Sequence, residues 1–111
     1  MTPAFRPPPM PYPAPPIYLG DVDTQVTLIA GEMDNGFSVH PFHSSRYLRE
    51  VVLPNLAYGA SKAGSSVADV TSCSSAFCVT GATAEEMETA HETVRQQLSF
   101  HASTKAYRVV L

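Results

Sequence analysis

Three short segments of the chain carry the residues best placed to contact a ligand, because each follows a run that favours a β-strand. They are Gly20-Asp21-Val22, His40-Pro41-Phe42-His43 and Thr80-Gly81. Ligands of parallel α/β sheets bind beyond the carboxyl ends of the strands, where loops lead into helix N-termini that attract anions. These segments are therefore the candidate binding loops of the chain.

Two of these loops differ in the chemistry that their side chains offer. Gly20 permits close approach of a ligand to the backbone, and the following helix offers N–H groups to a phosphate. Asp21 and Asp23 repel a phosphate unless their carboxylates form hydrogen bonds elsewhere. His40 is the polar side chain best placed to contact a ligand, and a purely structural role for it is equally open.

The remaining reactive residues do not form a familiar catalytic or metal-binding pattern. Cys73 and Cys78 stand five apart on a predicted strand, so their side chains point to opposite faces, and we expect buried, reduced thiols. His40 and His43 lack a third metal ligand at useful spacing. His91-Glu92 begins like a zinc-protease helix, but Arg95 replaces its second histidine. We predict no metal site and no catalytic acid or base.

Composition limits the function classes further. The 111 residues allow one domain at most, and 44% hydrophobic with 15% charged residues is a globular composition. A net charge of −3 without a basic cluster argues against nucleic acid and anionic membranes as partners. The sequence has no membrane-spanning run and no signal-peptide pattern, so we expect a cytoplasmic protein.

The first half of the chain reads as alternating strands and helices. Residues 17–20 and 37–40 are short β-favouring runs. Asp23 or Thr24 can cap the first helix, whose apolar positions are Val26, Ile29, Ala30 and Met33, until residues 34–36 end it. Ser44 or Ser45 can cap a second helix that stops at Gly64, and Pro54 predicts a kink or a break in it.

The second half continues the alternation. Residues 67–80 form a third β-favouring region, less regular than the first two. Thr83 and Glu86 form a capping box for a helix running to about His101, with a predicted buried stripe of Met87, Ala90, Val94 and Leu98. Strand–helix alternation without hairpins predicts the α/β class with parallel strands. Three strands and three helices leave sheet edges open, so the unit looks incomplete.

Several motifs occur in an order shared with a known family. They are PPIYLG at residues 15–20, LIAGEMDNGF at 28–37, VHPFHS at 39–44, YLREVVLP at 47–54, VTG at 79–81 and YRVVL at 107–111. On these motifs the sequence resembles the luciferase-like monooxygenase superfamily, and within it the deazaflavin-dependent oxidoreductases.

The resemblance implies a partial (β/α)8 TIM barrel, roughly strand–helix units five to seven, over residues 17–111. Residues 1–16, which hold eight of the 10 prolines, would be a connector. The implied reaction is hydride transfer between coenzyme F-420, or FMN as the alternative, and a small organic substrate. By resemblance, the cofactor-binding residues are Gly20, Asp21, Val22, Val39 and His40. The ring-binding strands are absent, so we expect a truncated chain that is inactive alone.

Two other hypotheses remain open at this point. Pro15-Pro16-Ile17-Tyr18 matches the Pro-Pro-x-Tyr pattern of WW-domain ligands, so the proline-rich start could make the chain a protein-interaction module for WW or SH3 partners. We favour a buried strand at Ile17 and Tyr18 instead. Alternatively, the chain pairs with a second copy, or with a missing barrel half, to complete a larger barrel.

Overall fold

The computed structural model describes residues 8–33 and 35–111. The strands are β1 (Tyr18–Asp21), β2 (Gly36–Val39) and β3 (Thr71–Ser74). The α-helices are α1 (Thr24–Glu32), α2 (Ser45–Tyr47), α3 (Leu53–Ala63) and α4 (Ala84–Ser103). A π-helical segment, Leu48–Val52, joins α2 to α3, and short 3-10 helices occupy Val67–Asp69 and Lys105–Val110. Of the predicted connector, residues 1–7 lie outside the described residues, as does Asp34 in the predicted helix end.

The three strands form one parallel sheet in the order β1-β2-β3. The predicted α/β class and parallel pairing are therefore confirmed. β2 is the central strand, and its Phe37 and Val39 are buried. Its register pairs Gly36 with Tyr18 on one side and with Thr71 on the other. β2 is covered by a strand on each side, and it carries most of the sheet's buried apolar surface.

The two outer strands are much more exposed than the sequence predicts. Ile17 and Tyr18 are 56% and 44% exposed, so the expectation that they begin a buried strand was wrong in its burial. β3 consists of four small residues, all exposed, and not of the larger apolar residues of the 76–79 run. Each outer strand has a described neighbour on one side only, which leaves its side chains accessible.

Both cysteines are exposed, which corrects the expectation of buried thiols. Cys73 lies on the edge strand β3, and its thiol lies 3.8 Å from the Phe37 carbonyl oxygen. Cys78 lies beyond the end of β3, in residues without regular structure. The two residues therefore do not share one strand, and the alternation argument does not apply to them. They are free thiols, as predicted.

Helices α1 and α3 pack together at two glycines. Gly31 of α1 and Gly59 of α3 are both buried, and a Cβ atom on either would overlap the backbone of the opposite helix. The buried residues of α1 are Thr27, Ala30 and Gly31, and Val26 is half-buried against the core, so the predicted face was right at Ala30 and in part at Val26. Ile29 and Met33 are exposed. The two helices therefore meet backbone to backbone at their glycines, and not through the apolar side chains that the spacing predicts.

The π-helical segment is how the second helix accommodates Pro54. Proline has no N–H for the preceding turn. The Leu53 N–H donates to the Leu48 carbonyl, five residues back, and the Asn55 side-chain amide donates to the Val51 carbonyl at 2.8 Å. The helix is thus neither broken nor stopped at Pro54. It ends at Gly64, in the left-handed region at φ 80°, as predicted.

Helix α4 begins where the sequence predicts but packs differently. The Glu86 N–H donates to Thr83 Oγ1 at 3.2 Å, while Glu86 Oε2 accepts from the Ala82 N–H, one residue before the cap. None of its 20 described residues is buried, so the predicted buried stripe was wrong. Tertiary partners, not periodicity, decide burial, and the described part of the chain provides few partners for α4. No described helix is long and apolar enough to cross a bilayer.

Replacing Gly59 by alanine tests the α1–α3 contact. Alanine favours helix by about 1 kcal/mol over glycine, but the added methyl group overlaps the Leu28 carbonyl oxygen. We expect Gly59→Ala to lower the free energy of unfolding in urea by about 1–3 kcal/mol, the usual cost of overpacking. Ser61→Ala, at an exposed position of the same helix, is the control. Equal stability of the two variants would contradict the close approach.

Candidate functional site

The loop from β1 to α1 is held by two carboxylates. Asp21 Oδ1 accepts hydrogen bonds from the N–H groups of Val22 and Asp23, at 2.6 and 3.1 Å. Asp23 is the N-cap of α1, and its Oδ1 accepts from the N–H groups of Gln25 and Val26, at 2.7 and 3.4 Å. Four backbone donors at the carboxyl end of β1 are therefore already occupied by side chains of the same loop.

Tyr47 holds the same loop through a hydrogen bond from its side chain. Its hydroxyl donates to the Val22 carbonyl oxygen at 2.7 Å in a buried hydrogen bond. Burial raises the pKa of Tyr47 above 10.0, and the negative charges of Asp23 and then Asp21 raise it further. The phenol therefore remains a hydrogen-bond donor at neutral pH. Its own helix is positioned by Ser44, whose side chain accepts from the Tyr47 N–H at 3.0 Å.

At the end of β2, hydrogen bonds define the tautomers of two histidines. The Phe42 N–H donates to His40 Nδ1 at 3.1 Å, so this nitrogen holds a lone pair and Nε2 carries the proton of the neutral ring. His43 Nδ1 lies 2.8 Å from the His40 carbonyl oxygen, which can only accept, so Nδ1 carries the proton there. His40 thus offers an N–H donor at Nε2.

Aromatic rings from distant parts of the chain meet around His40. The His40 ring centroid lies 4.9 Å from that of His101 and 4.8 Å from that of Tyr107. Phe42 also packs on both of these rings, with centroid distances of 5.7 and 6.2 Å. We call His40, Phe42, His101 and Tyr107 the histidine–aromatic cluster. It joins the end of β2 to the end of α4 and the final 3-10 helix.

The cluster changes the proton affinity of His40. Burial lowers the pKa of His40 below 6.5, and His101 lowers it further, with Asp21 acting in the opposite direction and His43 in the same one. The His40 ring is therefore mostly neutral at pH 7. A buried atom nearby, His101 Nδ1, finds no hydrogen-bond partner among the described residues.

A cleft of about 230 Å³ lies beside the β1–α1 loop. One wall is formed by residues 21–24, and the other by Ala106 and Val109 of the final 3-10 helix. Val110 of that helix is buried in the core, and the Ser44 hydroxyl donates to its carbonyl oxygen at 3.4 Å. The C-terminal residues therefore form one side of the cleft at the carboxyl edge of the sheet.

The structure brings together the five residues that the sequence singles out. Asp21 and Val39 are direct partners in the parallel register, so Gly20, Asp21 and Val22 lie beside Val39 and His40. Val22 and Val39 are buried supports, whereas Gly20 and Asp21 are exposed. Thr80-Gly81, the third candidate loop, is displaced, because β3 ends at Ser74 and these residues instead precede α4.

Sequence reasoning missed Tyr47, His101 and Tyr107 as parts of this edge. Tyr47 occurs in a helix without any local signal that its hydroxyl reaches a loop 25 residues earlier. His101 and Tyr107 lie more than 60 residues from His40, and only the fold brings their rings together. Among the described residues, no group of three or more histidine, cysteine, aspartate or glutamate residues could hold a metal ion.

Comparison with known proteins gives two kinds of similarity. The sequence model of the luciferase-like monooxygenase family matches residues 1–110. Uncharacterized proteins of Mycobacterium bovis and of two Mycobacterium tuberculosis strains are 38% identical to the chain over 111 residues. The match covers 100% of this chain and 33% of each relative, so the chain spans a third of their length. No solved structure matches it.

Replacing Tyr47 by phenylalanine tests the support of the β1–α1 loop. Tyr47→Phe leaves the Val22 carbonyl oxygen without its buried donor, so we expect the free energy of unfolding in urea to fall by about 1–3 kcal/mol. Tyr58→Phe removes the hydroxyl of an exposed tyrosine and is the matched control. If the two variants were equally stable, the Tyr47–Val22 bond would not support the loop.

Proposed function

Since the chain belongs to the luciferase-like monooxygenase family, we propose that it supplies part of the cofactor site of an oxidoreductase or monooxygenase. The proposed reaction is hydride transfer between a deazaflavin, coenzyme F-420, or else FMN, and a small organic substrate. The chain spans a third of its curated relatives, so this activity is proposed for the whole protein. The binding edge is proposed for the residues described here.

One observation carries the proposal: the register that pairs Asp21 with Val39. It sets two loops side by side at the carboxyl ends of parallel strands, where ligands of such sheets bind. The proposed cofactor edge consists of Gly20, Asp21, Val22, Val39 and His40. Val22 and Val39 support it from the core, while Gly20 and Asp21 are open to a ligand.

The donors and acceptors of this edge fit some parts of a flavin-type cofactor better than others. Asp21 and Asp23 occupy four backbone N–H groups that a phosphate would need, and they add negative charge. The β1–α1 loop therefore fits hydroxyl groups, such as those of a ribityl chain, and does not fit a phosphate. Carboxylates accept strong charge-assisted bonds from hydroxyls.

The end of β2 offers the complementary chemistry. Neutral His40 has a proton on Nε2, which can donate to an anionic oxygen of the cofactor tail. Its ring is held by the Phe42 N–H and by the neighbouring rings of His101 and Tyr107. A bound cofactor would supply the hydride chemistry, and these residues would bind and orient it. We propose no catalytic acid or base within the edge.

The interaction-module hypothesis stays a prediction. Tyr18 is part of β1, and its ring lies over Gly36, where even a Cβ atom would overlap it. A WW-type partner would have to compete with this strand pairing for the tyrosine. Completion of the open sheet by further strands of the whole protein, or by a second copy, is a further proposal. The cytoplasmic location also stays a prediction.

Replacing Asp21 by asparagine distinguishes hydroxyl recognition from phosphate recognition. A carboxylate–hydroxyl bond is stronger than an amide–hydroxyl bond by about 1 kcal/mol, so we expect Asp21→Asn to weaken cofactor binding about fivefold. Binding is measured by fluorescence titration of the full chain with coenzyme F-420 and with FMN. Glu88→Gln, at an exposed position of α4, makes the same change in net charge and should bind like the unmodified chain.

Two outcomes contradict the proposal. Tighter binding by Asp21→Asn would show that Asp21 repels a phosphate at this loop, because removing the carboxylate charge would then favour the ligand. Equal weakening by Asp21→Asn and Glu88→Gln would show a general effect of net charge instead of a contact at the edge.

A further inference from the structure

The 11 residues before Leu111 pack against the end of β2 and the core. We call residues 100–110, the end of α4 and the final 3-10 helix, the C-terminal strap. Its contacts include the ring packing of His101 and Tyr107 on His40 and Phe42 and the packing of Ala102 against the core. They also include the buried side chain of Val110 and the hydrogen bond from Ser44 to the Val110 carbonyl. The histidine–aromatic cluster is therefore the junction that ties the strap to the end of β2, beside the core contacts of Ala102 and Val110.

His40 can take up a second proton only at Nδ1, which already accepts a hydrogen bond. Its Nδ1 lone pair accepts the Phe42 N–H at 3.1 Å, and Nε2 carries the proton of the neutral ring. A proton on Nδ1 would face the Phe42 N–H, donor against donor, and the bond would be lost. Protonation of His40 is thus incompatible with the turn that places Phe42 in the cluster.

Burial opposes protonation of His40 most strongly, and two neighbouring histidines add to it. His101 approaches from α4 and His43 from the same loop, and both disfavour a second positive charge. Tyr107 contributes an aromatic ring from the final 3-10 helix. Asp21, from the end of β1, acts in the opposite direction. The His101 Nδ1 atom is buried beside them and has no hydrogen-bond partner within residues 8–33 and 35–111, so it too gains hydration when the cluster opens.

From this arrangement we infer that His40 is a proton-sensitive latch: the neutral ring holds the C-terminal strap on the carboxyl edge of the sheet, and protonation releases it. Release opens the cleft between residues 21–24 and the pair Ala106 and Val109. The inference goes beyond the proposed function and does not depend on it, because every group involved belongs to this chain.

The direction of the pH effect follows from proton linkage. The docked state lowers the pKa of His40 below 6.5, so the released state binds more protons. Docking is therefore strongest above pH 6.5 and weakens as the pH falls below it. For one proton, the equilibrium between docked and released strap changes by at most about tenfold per pH unit.

Hydrogen exchange of the full chain tests the latch without any cofactor. We expect amide exchange in residues 104–110, corrected for the intrinsic effect of pH, to accelerate between about pH 7.5 and about pH 5.5 within the tenfold limit per unit. His40→Asn keeps an acceptor for the Phe42 N–H but takes up no proton, so its strap should lose this pH response. His91→Asn, an exposed histidine of α4, should keep it.

A pH-independent exchange rate in the unmodified strap, or the same response in His40→Asn, would overturn the latch. If the strap of the His40→Asn variant is released at every pH, a second variant tests the latch. Val110→Asp places a charge in the core and should release the strap. By linkage, the His40 pKa, measured from its imidazole NMR signals, should then rise towards 6.5. An unchanged His40 pKa in a released strap would also overturn the inference.

Discussion

The close approach of α1 and α3 at Gly31 and Gly59 is the constraint on which the carboxyl edge depends. Because neither helix has a side chain at the crossing, their backbones touch, and this sets the distance between the two helices. The same helical unit carries Tyr47, whose hydroxyl reaches the Val22 carbonyl. Loop position therefore follows from helix spacing: moving the helices apart would separate the donor from the loop that it holds.

The edge built on this support has a divided chemistry. On the β1 side, Asp21 and Asp23 accept from the backbone N–H groups, and their carboxylates are exposed acceptors. On the β2 side, a neutral histidine presents a donor among aromatic rings. Helix N-termini in α/β proteins usually attract anions through their free N–H groups. Here the Asp23 carboxylate accepts from two of those N–H groups itself.

Local signals predicted much of this fold, and they failed where tertiary contacts decide. Asp23, Gly64 and Thr83 were predicted helix ends because capping is a local interaction. The burial of α4, Tyr18 and the cysteines was predicted wrongly, because periodicity indicates which residues could be buried and not whether a partner covers them. For the candidate site, the predicted strand ends indicated Asp21 and His40. No sequence pattern could place Tyr107 against His40, because that contact forms only in the folded chain.

The π-helical segment has a consequence for the phase of the helix. Tyr47 and Leu56 are both buried, although residues nine apart on a continuous α-helix lie on opposite sides. The π-helical turn of residues 48–52 takes up one extra residue, and one residue corresponds to about 100° of rotation about the axis of an α-helix. The angle between Tyr47 and Leu56 about the helix axis therefore falls by about 100°. The segment thus changes the rotational phase of the helix, so that Tyr47 before it and Leu56 after it both face the core.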